Sequence, residues 1–182
     1  MSIVLLYTGA QNFDTPQIEA SKSLGGFVSS SIIQNDVLNN LFGDITNYTI
    51  QKGSSDTKCI AIKNTGPTIT DLTIYYESPV NSLFDYFIGA VSPTVNDCNE
   101  SIFEQLQNSE SSPYYCTFYN PSTELTKMNV GNIAANGYLG LFIKRKFKQS
   151  VIDNTDFCST QTIEDLQNQS KLETVKLYFN WL

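Results

Sequence analysis

Apolar and polar residues alternate with a period of two in several short runs of this chain. No other feature limits its fold so strongly, because only a strand sends every second side chain to the same face. In KCIAIKN (58–64), Ile60 and Ile62 fall on one face and Cys59 and Ala61 on the other, which marks a central strand buried on both sides. IVLLY (3–7) is likewise apolar on both faces. DLTIYYE (71–77) alternates properly, with Leu72, Ile74 and Tyr76 opposite Asp71, Thr73 and Glu77, the pattern of a half-buried strand. Phe84, Tyr86, Ile88 and Ala90 share a face, as do Leu139, Leu141, Ile143 and Phe147 in the run GYLGLFIKRKFKQ. The run ETVKLYFNW (173–181) places Val175, Leu177, Phe179 and Trp181 on one side.

The connections follow from turn chemistry. Gly66-Pro67 lies between two of these strands and predicts an antiparallel hairpin joining 58–64 to 71–77. YYCTFY (114–119) reads as a further strand that ends at Asn120-Pro121. In NESIFEQLQNS (99–109), Ser101 followed by Glu104 has the form of a capping box and predicts a short helix with Ile102, Phe103 and Leu106 on its apolar side. Many short strands with turns between them predict a mainly β fold, a two-layer antiparallel β-sandwich with one or two short helices. A closed barrel fits the same pattern. The 182 residues suit a single domain, 1–182. Within it, 9–57 shows one plausible strand, GGFVSSSII, and otherwise reads as an irregular arm or loop that reaches a neighbouring subunit.

Histidine is absent, so the Ser-His-Asp and Cys-His constellations and histidine metal sites are excluded. Asp14, Glu19, Asp36, Asp44, Asp153 and Asp156 are scattered without a recurring spacing. DNTD (153–156) has the oxygen-rich look of a calcium loop, but it lacks the Gly and the distal Glu of an EF-hand. The glycines of GAQNF and SLGGF form neither a dinucleotide fingerprint nor a phosphate loop. Cys59, Cys98, Cys116 and Cys158 are widely spaced with no C-x-x-C pair, so no zinc or redox motif exists, and Cys59 and Cys116 are expected to be reduced and buried. The expectation is a chain that is not an enzyme and takes no cofactor.

Charge narrows the partners. A net charge of −7 argues against direct nucleic-acid binding, which needs clustered cations to displace counterions. Four of the eleven basic residues, Lys144, Arg145, Lys146 and Lys148, sit together in IKRKFK. A solvated strand end is one use for that run and a contact with an acidic neighbour is another. Charged residues make up only 16%, and the surface must be largely polar and uncharged, as subunit contacts often are. MSIVLLYTG lacks the basic stretch and small-residue cleavage site of an export signal, and no apolar run nears the roughly 18 residues of a membrane helix.

Leu24, Gly25, Gly26 and Phe27, then Asn39, Asn40, Leu41 and Phe42, then Cys59, Ile60, Ile62 and Asn64, and finally Ile143, Lys144 and Arg145 form an ordered series. This series resembles a pattern of virion structural proteins in tailed bacteriophages of the podovirus-like or crAss-like kind. The chain departs from that pattern at Thr57-Lys58, where an aromatic and then a basic residue are expected and Thr57 stands in the aromatic position, which leaves the subgroup open. The resemblance implies a β-sandwich subunit of a tail or neck ring, a homo-oligomer made in the host cytoplasm that meets portal, neck or tail subunits in the virion. Leu24, Gly25, Gly26, Phe27, Asn39, Asn40, Leu41, Phe42, Lys144, Arg145 and Lys146 are the candidate interface residues. A head decoration protein is a related expectation. A carbohydrate-binding or adhesive module that uses the Tyr-rich runs IYYE and PYYCTFY is the alternative from a different class.

Overall fold

The computed structural model describes residues 3–35, 40–43, 55–79, 82–148 and 175–181. Its strands are β1 (Ile3–Ala10), β2 (Gly26–Ile32), β3 (Ser55–Asn64), β4 (Ile69–Glu77), β5 (Phe84–Val91), β6 (Thr94–Val95), β7 (Ser101–Phe103), β8 (Met128–Ile133), β9 (Tyr138–Phe147) and β10 (Lys176–Asn180). Two single 3-10 turns, Ala20–Lys22 and Glu124–Thr126, are the helical elements among the described residues. A seven-stranded sheet in the order β5-β9-β3-β1-β2-β7-β6 faces a three-stranded sheet, β10-β4-β8. Every strand pairing is antiparallel, and the fold is the expected β-sandwich type.

The period-two reading accounts for the core. Ile60 and Ile62 of β3 join Leu72, Ile74 and Tyr76 of β4, Ile88 of β5 and Leu141 of β9 in the cluster between the sheets. Cys59 and Ala61 point the other way, into a second cluster with Leu6, Val28, Phe103, Leu106 and Phe142. Loop residues Phe13, Leu24, Cys116 and Phe118 cover that second face. Both sides of the large sheet are therefore shielded. Each fully buried Ile, Leu or Phe contributes about 1.5–3 kcal/mol, so the double covering concentrates stability in β3 and β9.

Three local expectations are corrected. First, β3 and β4 are not a hairpin, because β3 pairs with β1 and β9 while β4 pairs with β8 and β10 in the opposite sheet. The Gly66-Pro67 turn is a corner between layers. Asn64, fully buried, ties that corner. Its side-chain amide donates to the carbonyls of Pro67, Ile133 and Ala134 at 2.6, 3.2 and 3.0 Å, and its Oδ1 accepts from the Gly66 N–H at 2.9 Å. Second, the expected helix at 99–109 is absent. Ser101–Phe103 is β7, and Glu104 accepts hydrogen bonds from the backbone N–H of Tyr114 instead of capping a helix. Third, YYCTFY is a loop, with one bridge between Tyr119 and Ile88 of β5.

Much of the 9–57 segment is sheet or sheet cover. Gly9 and Ala10 end β1, β2 supplies the strand expected at 25–33, and Gln17 donates its side-chain amide to the Thr8 carbonyl at 2.6 Å. Ser23, fully buried, donates to the Cys59 carbonyl at 2.6 Å. Within 9–33, β2 and these hydrogen bonds tie the chain to its own sheet, while Ile18 stays exposed. Residues 36–39 and 44–54 lie outside the described set.

Candidate functional site

The interface candidates fall into two groups in space. Leu24, Gly25, Gly26 and Phe27 form the junction where β2 meets β7. The Leu24 carbonyl accepts the Leu106 N–H at 2.8 Å, and the Gly25 N–H donates to Thr8 Oγ1 at 3.0 Å. Gly25 and Gly26 have φ of +98° and +78°. A Cβ on Gly25 would stand 1.8 Å from the Glu104 carbonyl oxygen, so the glycine serves a close approach within this chain.

Asn40, Leu41, Phe42 and the basic run are brought together, although they are about a hundred residues apart in sequence. The Arg145 guanidinium lies 4.8 Å from the Phe42 ring centre and 4.9 Å from that of Phe84, and it donates to the Gly43 carbonyl at 3.2 Å. Asp56 lies 3.5 Å from Arg145 and 3.2 Å from Lys58, whose side chain is only 6% exposed. The Tyr7 hydroxyl donates to the Asn40 carbonyl at 2.7 Å. Lys144 donates to Ser112 Oγ at 2.9 Å and lies over the Phe118 ring, whereas Lys146 is exposed. Of the three basic candidates, Lys146 alone has the setting of a solvated strand end. Asn39 lies outside the described residues, as does the DNTD segment.

A second site was visible in the sequence only as a tyrosine-rich run. Tyr114 and Tyr115 are 81% and 86% exposed, and their rings meet edge to face, 4.7 Å between centres at 78°. They form an open groove of about 550 Å³ with Thr94 of β6, Ile102 and Phe103 of β7, and Glu104. The loop carrying them is held at several points. Both Glu104 carboxylate oxygens accept from the Tyr114 N–H, at 2.9 and 2.8 Å. Pro113 is buried, and Cys116 presses on β5 where Gly89 leaves room, since a Cβ there would stand 2.1 Å from the Cys116 sulfur.

Reactive chemistry is not evident in these groups. Burial, with the nearby Glu104 charge adding to it, pushes the Cys116 thiol up to about 11, and burial raises the Cys59 thiol further. Neither is an activated nucleophile at neutral pH. Cys116 is half-buried in a loop, which departs from the expectation of a buried strand position. Among the described residues, no group of three or more Cys, Asp or Glu is placed to hold a metal ion. Comparison with family models, with curated proteins and with solved structures finds no match. The structure by itself defines the class, an antiparallel β-sandwich whose distinctive features lie on its surface.

Proposed function

We propose that this chain is a non-enzymatic structural subunit of a tailed-phage virion, a tail or neck ring component that binds copies of itself and adjoining portal, neck or tail subunits. The phage part of this reading rests on the resemblance carried by the LGGF, NNLF, CIAIKN and IKR segments. The assembly part is carried by one observation: large apolar side chains stand in water on separate, locally stapled segments. Leu125 is 98% exposed and Ile18 is 74% exposed. A single exposed leucine is ordinary on any surface. Leu125, however, sits on the 3-10 turn Glu124–Thr126, which a reciprocal Thr123–Thr126 capping box holds rigid. Ile18 follows Gln17, whose N–H donates to Ser29 Oγ at 2.9 Å. Such fixed apolar points on separate segments of one small domain suit a subunit that meets neighbours.

Native mass spectrometry of the purified chain tests this reading. A closed ring, or a defined complex on co-expression with the products of flanking portal or neck genes, is the expected result. A single-copy mass at every concentration, from a gene with no virion genes beside it, would overturn it.

A further inference from the structure

We propose that the groove formed by Tyr114, Tyr115, Glu104, Thr94 and Ile102 is a binding site for a neutral saccharide, a function separate from subunit assembly. A sugar ring carries weakly positive C–H groups on its faces and hydroxyls around its rim. Its natural complement is an aromatic face, which is electron-rich, bordered by hydrogen-bond acceptors and donors. The groove offers both. The edge-to-face pair leaves both faces of one tyrosine and the outer face of the other unused, and both rings are more than four-fifths exposed. Glu104 accepts from the Tyr114 N–H through each of its oxygens. A carboxylate oxygen has two lone pairs, so each retains a position for a sugar hydroxyl. Thr94, exposed on the edge strand β6, adds a hydroxyl that donates or accepts.

Preorganisation adds to the case. Weak ligands are held well only where little freedom is lost on binding. The Glu104 clamp, buried Pro113 and the Cys116 contact at Gly89 fix this loop before any ligand arrives. Charge then selects among flat ligands. A nucleobase would also stack on tyrosine, but its phosphates need cations, and the charged residue lining the groove is Glu104 in a chain of net charge −7. The same repulsion disfavours acidic sugars.

Saturation-transfer NMR on the full chain, followed by titration, tests the site with maltohexaose, cellohexaose and chitohexaose as neutral probes and hexagalacturonate as the anionic one. At least one neutral probe is expected to bind, with hexagalacturonate about tenfold weaker or undetected. Tyr114→Ala and Tyr115→Ala should each weaken binding about tenfold, while Tyr119→Ala, outside the groove, leaves it unchanged. Both rings stand in solvent, so these variants keep the fold, which circular dichroism verifies. Absence of transfer to all three neutral probes overturns the proposal, as does binding that survives the Tyr114→Ala/Tyr115→Ala pair. If that pair instead lowers the mass of an assembly and no saccharide binds, the groove is a subunit contact and the proposal falls, while the assembly reading stands.

Discussion

Gly25 and Gly131 have a left-handed backbone in common, with φ of +98° and +88°, but their surroundings differ. A Cβ on Gly25 would strike the Glu104 carbonyl, whereas nothing lies within 4 Å of one on Gly131. Gly131→Ala therefore incurs only the conformational cost, about 1 kcal/mol. Gly25→Ala adds a backbone displacement at the β2–β7 junction and is expected to cost about 2–4 kcal/mol in urea denaturation. The sequence marks Gly25 as special, yet its reason, contact with residue 104, is not visible in a linear reading. Burial acts on Cys59 in a different way. Enclosure raises its thiol above the ordinary 9.0, and burial raises the Tyr76 hydroxyl above 10.0. The unfolded chain releases these protons first, so above its pKa the folded state holds more protons than the unfolded one. The stabilisation is complete below about pH 9 and is lost progressively above it, by up to about 1.4 kcal/mol per pH unit for a fully enclosed thiol. Urea midpoints should hold steady up to about pH 9 and fall progressively above it, and Cys59→Ala should make the first part of that fall shallower.

At the scale of elements, strand faces were legible and connections were not. The face assignments in β3, β4, β5 and β9 follow from alternation alone, because a buried face repeats every second residue whatever the strand pairs with. Pairing partners are non-local. β3 and β4 are adjacent in sequence with turn residues between them, and the hairpin was the natural reading. They separate because β3 is flanked by β1 and β9, which leaves β4 to build the second sheet. The 99–109 segment misleads for a related reason. Ser101, Glu104 and the apolar residues between them suit a helix locally, but the edge of β2 takes 101–103 as a strand and Glu104 finds the Tyr114 N–H. Asn64 holds the corner that distinguishes this topology from a hairpin. Asn64→Asp keeps the shape and replaces a donor facing three carbonyls with an acceptor. A buried polar group left unsatisfied in this way costs about 2–4 kcal/mol, and the loss should appear as a lower urea midpoint with an unchanged m-value.

At the scale of the whole molecule, the candidate interface was only partly legible. The LGGF and NNLF segments and the basic run stood out by composition, and composition does not say which side of the surface a residue serves. Gly25 and Arg145 turn out to be held by this chain's own groups, Arg145 by Phe42, Phe84 and Asp56. Leu125 carries no signal in the sequence, because a lone leucine between Glu124 and Thr126 has no period to reveal it. Its significance appears only when 98% exposure is set beside the capping box that fixes its turn. Leu125→Asp therefore separates folding from assembly. The side chain has almost no intramolecular contact to lose, so a surface substitution here should change stability by less than about 0.5 kcal/mol. At the centre of a subunit contact, the same change would bury a carboxylate without a partner, at a cost of several kcal/mol in each copy. The expected outcome is an unchanged circular dichroism spectrum and thermal midpoint together with a shift of the native mass from the assembly to the single chain. An intact assembly carrying Leu125→Asp would show that Leu125 faces solvent in the particle, and the contact would then have to be sought at Ile18 and the strand edges. A fall in thermal midpoint would instead place Leu125 in the fold's own packing.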